Sequence, residues 1–384
     1  MNPSQQYFSY IRWLMIAAGI WRLEIKEFST SKKRFYNFYS VIIQLICTSP
    51  IISVTLDVPA LMEADQASAF GNIGLAVFLA MIISKMLMCQ SKPILRLVKV
   101  AFQNEFQMIY NVNADVAAIY KKHIKLNNFF ITLLVMYITI ILVSVITSGD
   151  VHCYQYLRQN QTVKPMLVNY WYPFDTNKYY ALVLIDQNIR PTLAALCTAI
   201  VNAFVICIII FVRLQLKLLQ YSFRNFDKLE LQGLDGPTML KLICVKHQEL
   251  IEYTVELNQS FNIIIFIDYM VSSITFAAQI LQIIGGVEPI FTSAILSYTI
   301  IQLLIFAWSS NEIIVQSTEL ARALFESNWY DHDINIKAMA HIMMMRCQKP
   351  LSLMIGRFGV MDLDVGISRL KLAYSYTSLM RSGD

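Results

Sequence analysis

The 384-residue chain is 56% apolar, has a mean hydropathy of +0.50 and carries charge on only 15% of its residues. A soluble chain of this size needs far more charge to cover its surface, so the length prior of two soluble domains gives way to an integral membrane protein. The net charge of +5 comes with no basic cluster interleaved with aromatics, which leaves nucleic acid outside the expected partners.

A spanning helix needs roughly 20 mostly apolar residues. Residues 1–35 hold no short apolar core with a small-residue cleavage site, so no cleaved signal is expected and the first span acts as its own insertion signal. Six stretches then qualify in order: 36–56, 70–89 with Lys85 near one end, 127–148, 191–212, 261–285 with an internal Asp268, and 287–311. A seventh, about 363–381, is weaker and more polar. Asp268 is the most conspicuous intramembrane charge and is read as having a structural partner. Lys85 is read as a snorkelling anchor.

Lys and Arg cluster before the first span and in the connections after spans two, four and six, whereas the other side holds few. By the positive-inside rule the N-terminus is cytosolic, and seven crossings place the C-terminus outside. That orientation is opposite to a G-protein-coupled receptor, and the Asp-Arg-Tyr and Asn-Pro-x-x-Tyr signatures are missing. The cytosolic connections carry helical periodicity: Leu240, Ile243, Leu250, Ile251 and Leu257 share a face, and RLQLKLLQYSF extends span four. Gly233, Gly236 and Pro237 mark the turn between these extensions, which form either a packed cytosolic layer or helices on the lipid surface.

The seven cysteines at 47, 89, 153, 197, 207, 244 and 347 form no C-x-x-C pair, and the five histidines share no ligand spacing. With no nucleophile motif or phosphate loop either, no enzyme activity, metal or cofactor is expected. Asn160 heads a glycosylation sequon in the outer loop, and Asn258 heads one on the inner side that should stay unmodified.

In the C-terminal third, STELARALFESNW, RCQKP and LKLAYSYTSLM place Ser317, Leu320, Ala321, Trp329, Arg346, Gln348, Pro350, Ser375 and Tyr376 in one pattern. YPFD at 172–175 and His247-Gln248 join it. Together these resemble the insect odorant receptor family. Ser375-Tyr376-Thr377 stands where gustatory relatives usually have a different ending, and the connection between spans four and five, about 48 residues, lacks the large insertion of the family's co-receptor. The chain thus resembles an odour-tuning subunit.

The resemblance implies an all-α seven-span fold in four parts: 1–35 cytosolic, 36–311 holding spans one to six, 312–362 as cytosolic anchor helices, and 363–384 as the pore-lining span. It implies a four-subunit, non-selective cation channel gated by a small apolar volatile, formed with the co-receptor in the plasma membrane and in contact with lipid. Its ligand site would lie in the outer halves of spans two, three, four and six: Ile73, Val77 and Phe78; Tyr137, Ile141, Ser144 and Val145; Leu196, Ala199 and Asn202; Thr292, Ile295 and Tyr298.

In the seventh span Asp364 is read as the N-cap. From there Ser368, Lys371, Ser375, Ser378 and Ser382 make one polar stripe, which belongs against water or protein. The resemblance tilts that stripe toward a pore with an apolar gate at Leu379 and Gly383 one turn beyond; the alternative is tight helix packing by small residues. Two further readings remain open: a gustatory-type receptor forming a channel alone, and a multi-span transporter, against which no internal repeat is seen.

Overall fold

The computed structural model describes residues 7–23, 29–64, 66–110, 114–158, 170–225, 236–284 and 289–382. Backbone polar groups find no partner in hydrocarbon, and a helix satisfies them within one segment. The chain accordingly forms α1 (Ser9–Ala17), α2 (Thr30–Ala64), α3 (Gln66–Cys89), α4 (Lys92–Tyr110), α5 (Ala114–Arg158), α6 (Tyr180–Arg224), α7 (Gly236–Ile284), α8 (Pro289–Phe325), α9 (Ile334–Cys347) and α10 (Leu363–Ser382). Six of these helices (α2, α3, α5, α6, α7 and α8) are long and apolar enough to cross a membrane. The more polar α10, with 20 residues, has the length of a seventh span.

The expected helical extensions of spans four and five are present. At 49 residues α7 reaches ~74 Å, well over twice the hydrocarbon thickness. It opens on Gly236 and Pro237, since proline is tolerated in a first turn whose N–H groups have no partner anyway. Gly233 lies outside the described residues.

The centre of the bundle is α6, apolar around its whole circumference and without an exposed residue from Ala194 to Val212. It packs against α5, α8 and α2. Residues ahead of α1 also reach it. Tyr7 and Phe8 are fully buried with rings 5.6 and 5.3 Å from Phe211, and the Tyr7 hydroxyl donates to the Cys207 carbonyl at 3.2 Å. The Tyr7 N–H donates to Glu105 Oε1 on α4 at 2.8 Å, and Tyr120 of α5 donates to the same carboxylate.

Beyond α8, a single 3-10 turn (Trp329–Asp331) leads to α9 and then to strands β1 (Met354–Ile355) and β2 (Gly359–Val360), paired antiparallel with Met354 opposite Val360. This hairpin is stitched to α7: the Met354 N–H donates to Asn258 Oδ1 at 2.8 Å and the Gly356 N–H to the Asn262 carbonyl at 3.0 Å. Gly356 has φ +56°, and a Cβ there would meet the Phe266 side chain at 3.2 Å, so the turn requires glycine. The amide of Asn258, which heads the second sequon, is thus held within a packed helix. The tail pattern gathers at the same junction, where Ser317 Oγ accepts the Leu351 N–H at 2.9 Å and Trp329 stands edge-on to His341.

Asp362, rather than Asp364, caps α10. Its Oδ1 accepts the Val365 N–H at 2.8 Å, which puts Asp364 inside the first turn, where its charge complements the helix dipole. At Gly366 a Cβ would stand 2.8 Å from that of Ala307, so α10 lies unusually close to α8.

Buried His247 lies in the extension of α7, ahead of residues 261–285. Burial, and then the charge of Arg346, pulls its imidazole down to about 4 from the usual value near 6.5. The unfolded chain therefore takes up a proton before the folded one does, so the stabilisation is complete above pH ~6.5 and is lost as pH falls toward 4. Melting curves of detergent-solubilised protein across that window should show a steeper acid loss for the wild type than for His247→Gln.

Candidate ligand cavity and its charged band

A cavity of about 570 Å³ opens between α3, α5, α6, α7, α8 and α10, a size suited to a small molecule. Its apolar part is walled by Phe78 and Ile82 of α3, Ile138 and Ile141 of α5, Ala195 of α6 and Ile295 of α8. Tyr298 lines it too; its hydroxyl is buried and meets no partner at hydrogen-bond geometry among the described residues. Its ring stacks on that of Tyr137 at 6.2 Å, and the Tyr137 hydroxyl bonds Ser297 Oγ at 2.7 Å.

Of the residues read as ligand contacts, Phe78, Ile141, Asn202, Ile295 and Tyr298 line this cavity. Ile73 and Val77 lie on the outward face of α3, 38% and 49% exposed, because a helix apolar all round gives no sequence signal of which face turns inward. Tyr137 backs the wall behind Tyr298, and Ser144 is exposed with its hydroxyl on the Ile140 carbonyl. Leu196 is half-buried, whereas Ala199 and Thr292 are buried without lining the cavity. The side chain of Val145 falls outside the description.

A band of charge crosses the cavity ten residues along α3 from Leu75, a rise of ~15 Å. Lys85 is not a snorkelling anchor. Its side chain is 8% exposed and its Nζ donates to Asp268 Oδ1 at 2.8 Å and Asn202 Oδ1 at 3.1 Å. A buried ammonium needs acceptors, and here protein oxygens supply them.

Arg369 of α10, which sequence reasoning passed over, completes the band. Its Nη2 donates to the Asp268 and Tyr269 carbonyls, each at 2.9 Å, and its Nε donates to Ser273 Oγ at 3.2 Å. The guanidinium also lies over the Tyr269 ring at 4.5 Å. An arginine nearly two turns into a weak span was the signal that could have found it.

At the opposite end, Tyr170 lines the cavity beside the YPFD segment. Arg190 holds that segment down: Nη1 donates to Ser53 Oγ at 2.9 Å, Nη2 donates to the Tyr172 hydroxyl at 3.4 Å, and the guanidinium pairs with Asp186. It also sits 4.8 Å over the Tyr170 ring. Replacing Arg190 with alanine should cost about 2 kcal/mol of stability, the scale of a lost charge-assisted bond. Lysine should recover only part, since a point charge cannot fork between Ser53 and Asp186. Melting temperatures of the two variants check this.

Along α10, Lys371 and Ser375 are exposed and the Ser375 hydroxyl donates to the Lys371 carbonyl at 3.0 Å. The side chains of Ser378, Leu379 and Ser382 fall outside the description, as do Gly383 and Asn160 altogether.

Residues 67–374 match the family described as 7tm Odorant receptor. The chain is 25% identical to Odorant receptor 30a of Drosophila melanogaster over 53% of its own length and 54% of that protein. It is 28% identical to Odorant receptor 10 of Aedes albopictus over 37% and 39%. The chain therefore spans about half, or less, of the length of these curated relatives. A shorter match, 24% identical over 34% of the chain and 28% of the relative, is to the odorant receptor coreceptor of Harpegnathos saltator. In fold the chain is similar to the insect olfactory receptor OR5 of Machilis hrabei, with a TM-score of 0.80 over 99% of this chain and 98% of that one at 15% identity. It is also similar to the same receptor in complex with eugenol, with a TM-score of 0.79. The match over residues 67–374, together with that fold, shows that this multi-pass membrane chain belongs to the insect odorant receptor family.

Proposed function

We propose that the chain is the odorant-binding tuning subunit of a heteromeric, odorant-gated, non-selective cation channel built with the family co-receptor. The observation that carries this reading is the largely apolar cavity between α3, α5, α6 and α8, with the Tyr298 hydroxyl among its polar handles. A small volatile has little to offer but apolar contact, and such a site fits it. Relatives that are themselves odorant receptors other than the coreceptor, and the eugenol-bound neighbour, support the assignment.

In this reading the N-terminus is cytosolic, residues 36–311 hold six spans, 312–362 form a cytosolic anchor, and 363–384 line the pore, with Leu379 at the gate. Ligand in the cavity favours the open state of a two-state equilibrium. The channel would sit in the plasma membrane of olfactory sensory neurons.

Whole-cell current in a heterologous cell tests the proposal, with this chain alone and then with an insect co-receptor, against a panel of volatiles. Odour-evoked cation current only in the pair, surviving G-protein block, is expected. Current from this chain alone would replace the reading with a homomeric gustatory-type channel. Within the responding pair, Ala195→Trp fills the cavity and should weaken activation by at least roughly tenfold at unchanged surface expression. An unaltered dose response would move the ligand site elsewhere.

A further inference from the structure

The charged band has an imbalance that its own residues do not resolve. Among residues lining the cavity, Lys85 and Arg369 bring two positive charges and Asp268 one negative, and all three belong to the same hydrogen-bonded cluster. Lys85 and Arg369 are 6% and 4% exposed.

Hydrogen bonds show the same surplus. Lys85 spends two of its three N–H donors, on Asp268 and Asn202. Arg369 spends Nε and Nη2 on Ser273 and two α7 carbonyls, which leaves both N–H groups of Nη1. Three donors thus remain against one uncommitted carboxylate oxygen, Asp268 Oδ2, in a setting where an uncompensated positive charge is costly. The space beside the band is largely apolar: Phe78, Ile141, Ala195 and Ile295 line it, and Lys85 stands ~15 Å along α3 from Leu75, which lines it too.

We infer that the ligand of this cavity is a medium-chain carboxylate, its alkyl chain in the apolar space and its head group on Lys85 and Arg369. This rests on the odorant-binding reading above and names the chemical class of ligand. A carboxylate brings one negative charge and two acceptor oxygens, which neutralises the band and occupies the surplus donors with charge-assisted bonds. An alkylammonium brings only more donors and more positive charge. An alkane leaves the donors bare, and a methyl ester offers acceptors without charge.

Binding to the purified chain, measured by displacement of a fluorescent fatty acid, tests this without needing a channel. Decanoate should displace the probe at concentrations roughly tenfold below methyl decanoate, and below decane and decylamine by more. Lys85→Met should weaken decanoate roughly tenfold and leave decane unchanged. Asp268→Asn keeps an oxygen for Lys85 while removing the opposing charge, so it should strengthen decanoate binding. The opposite signs separate a head-group contact from simple damage to the fold.

Decylamine or decane binding as tightly as decanoate would overturn the inference, as would Asp268→Asn weakening the acid. Odour-evoked current from neutral volatiles in a chain that shows no acid preference would leave the receptor reading standing and remove this one alone. Acid-selective binding by a chain that carries no current with any partner would do the reverse.

Discussion

Four helices meet at one polar cluster around Asp268. Asp268 of α7 takes the Lys85 ammonium from α3 on its side chain and the Arg369 guanidinium from α10 on its backbone, while Lys85 reaches across to Asn202 of α6. In hydrocarbon there is no hydrophobic force between helices, so contacts that give each polar group a partner decide which faces turn inward. This cluster ties α3, α7 and α10 together and joins α3 to the central α6. It also places the most polar span, α10, against the wall of the cavity, where Gly366 allows it within touching distance of α8.

That arrangement joins the two halves of the proposed mechanism by a short route. Arg369 lines the cavity, and its guanidinium bonds α10 to two carbonyls of α7. Occupancy can therefore bias α10 with no relay of intermediate residues, provided the two states differ in how that guanidinium is bonded.

Much of the architecture was legible because apolar runs have few alternatives at this length. The extension of α6 and α7 past their apolar runs was readable from spacing, and Leu240, Ile243 and Leu250 on α7 do turn inward. Three things were not. The rotation of α3 was hidden, since Ile73, Val77 and Phe78 are equally apolar and only tertiary contact selects Phe78. The partner of Lys85 lies 183 residues away, and no local rule links them. Helices α1 and α4 were passed over as connections, because their apolar faces make sense only once α6 is there to receive the first and α7 the second.

The burial of Tyr7 carries a consequence for the timing of synthesis. Its hydroxyl bonds a carbonyl 200 residues further along the chain. At ~5–20 residues per second, about 10–40 s pass between the making of these two groups. For that interval a Tyr-Phe pair that ends fully buried has no α6 to cover it, and the long-range contact that closes the bundle carries a correspondingly large loop entropy. The nascent N-terminal segment is then a surface for chaperones or for the lipid headgroup layer, and its departure from that shelter marks the moment the fourth span has arrived.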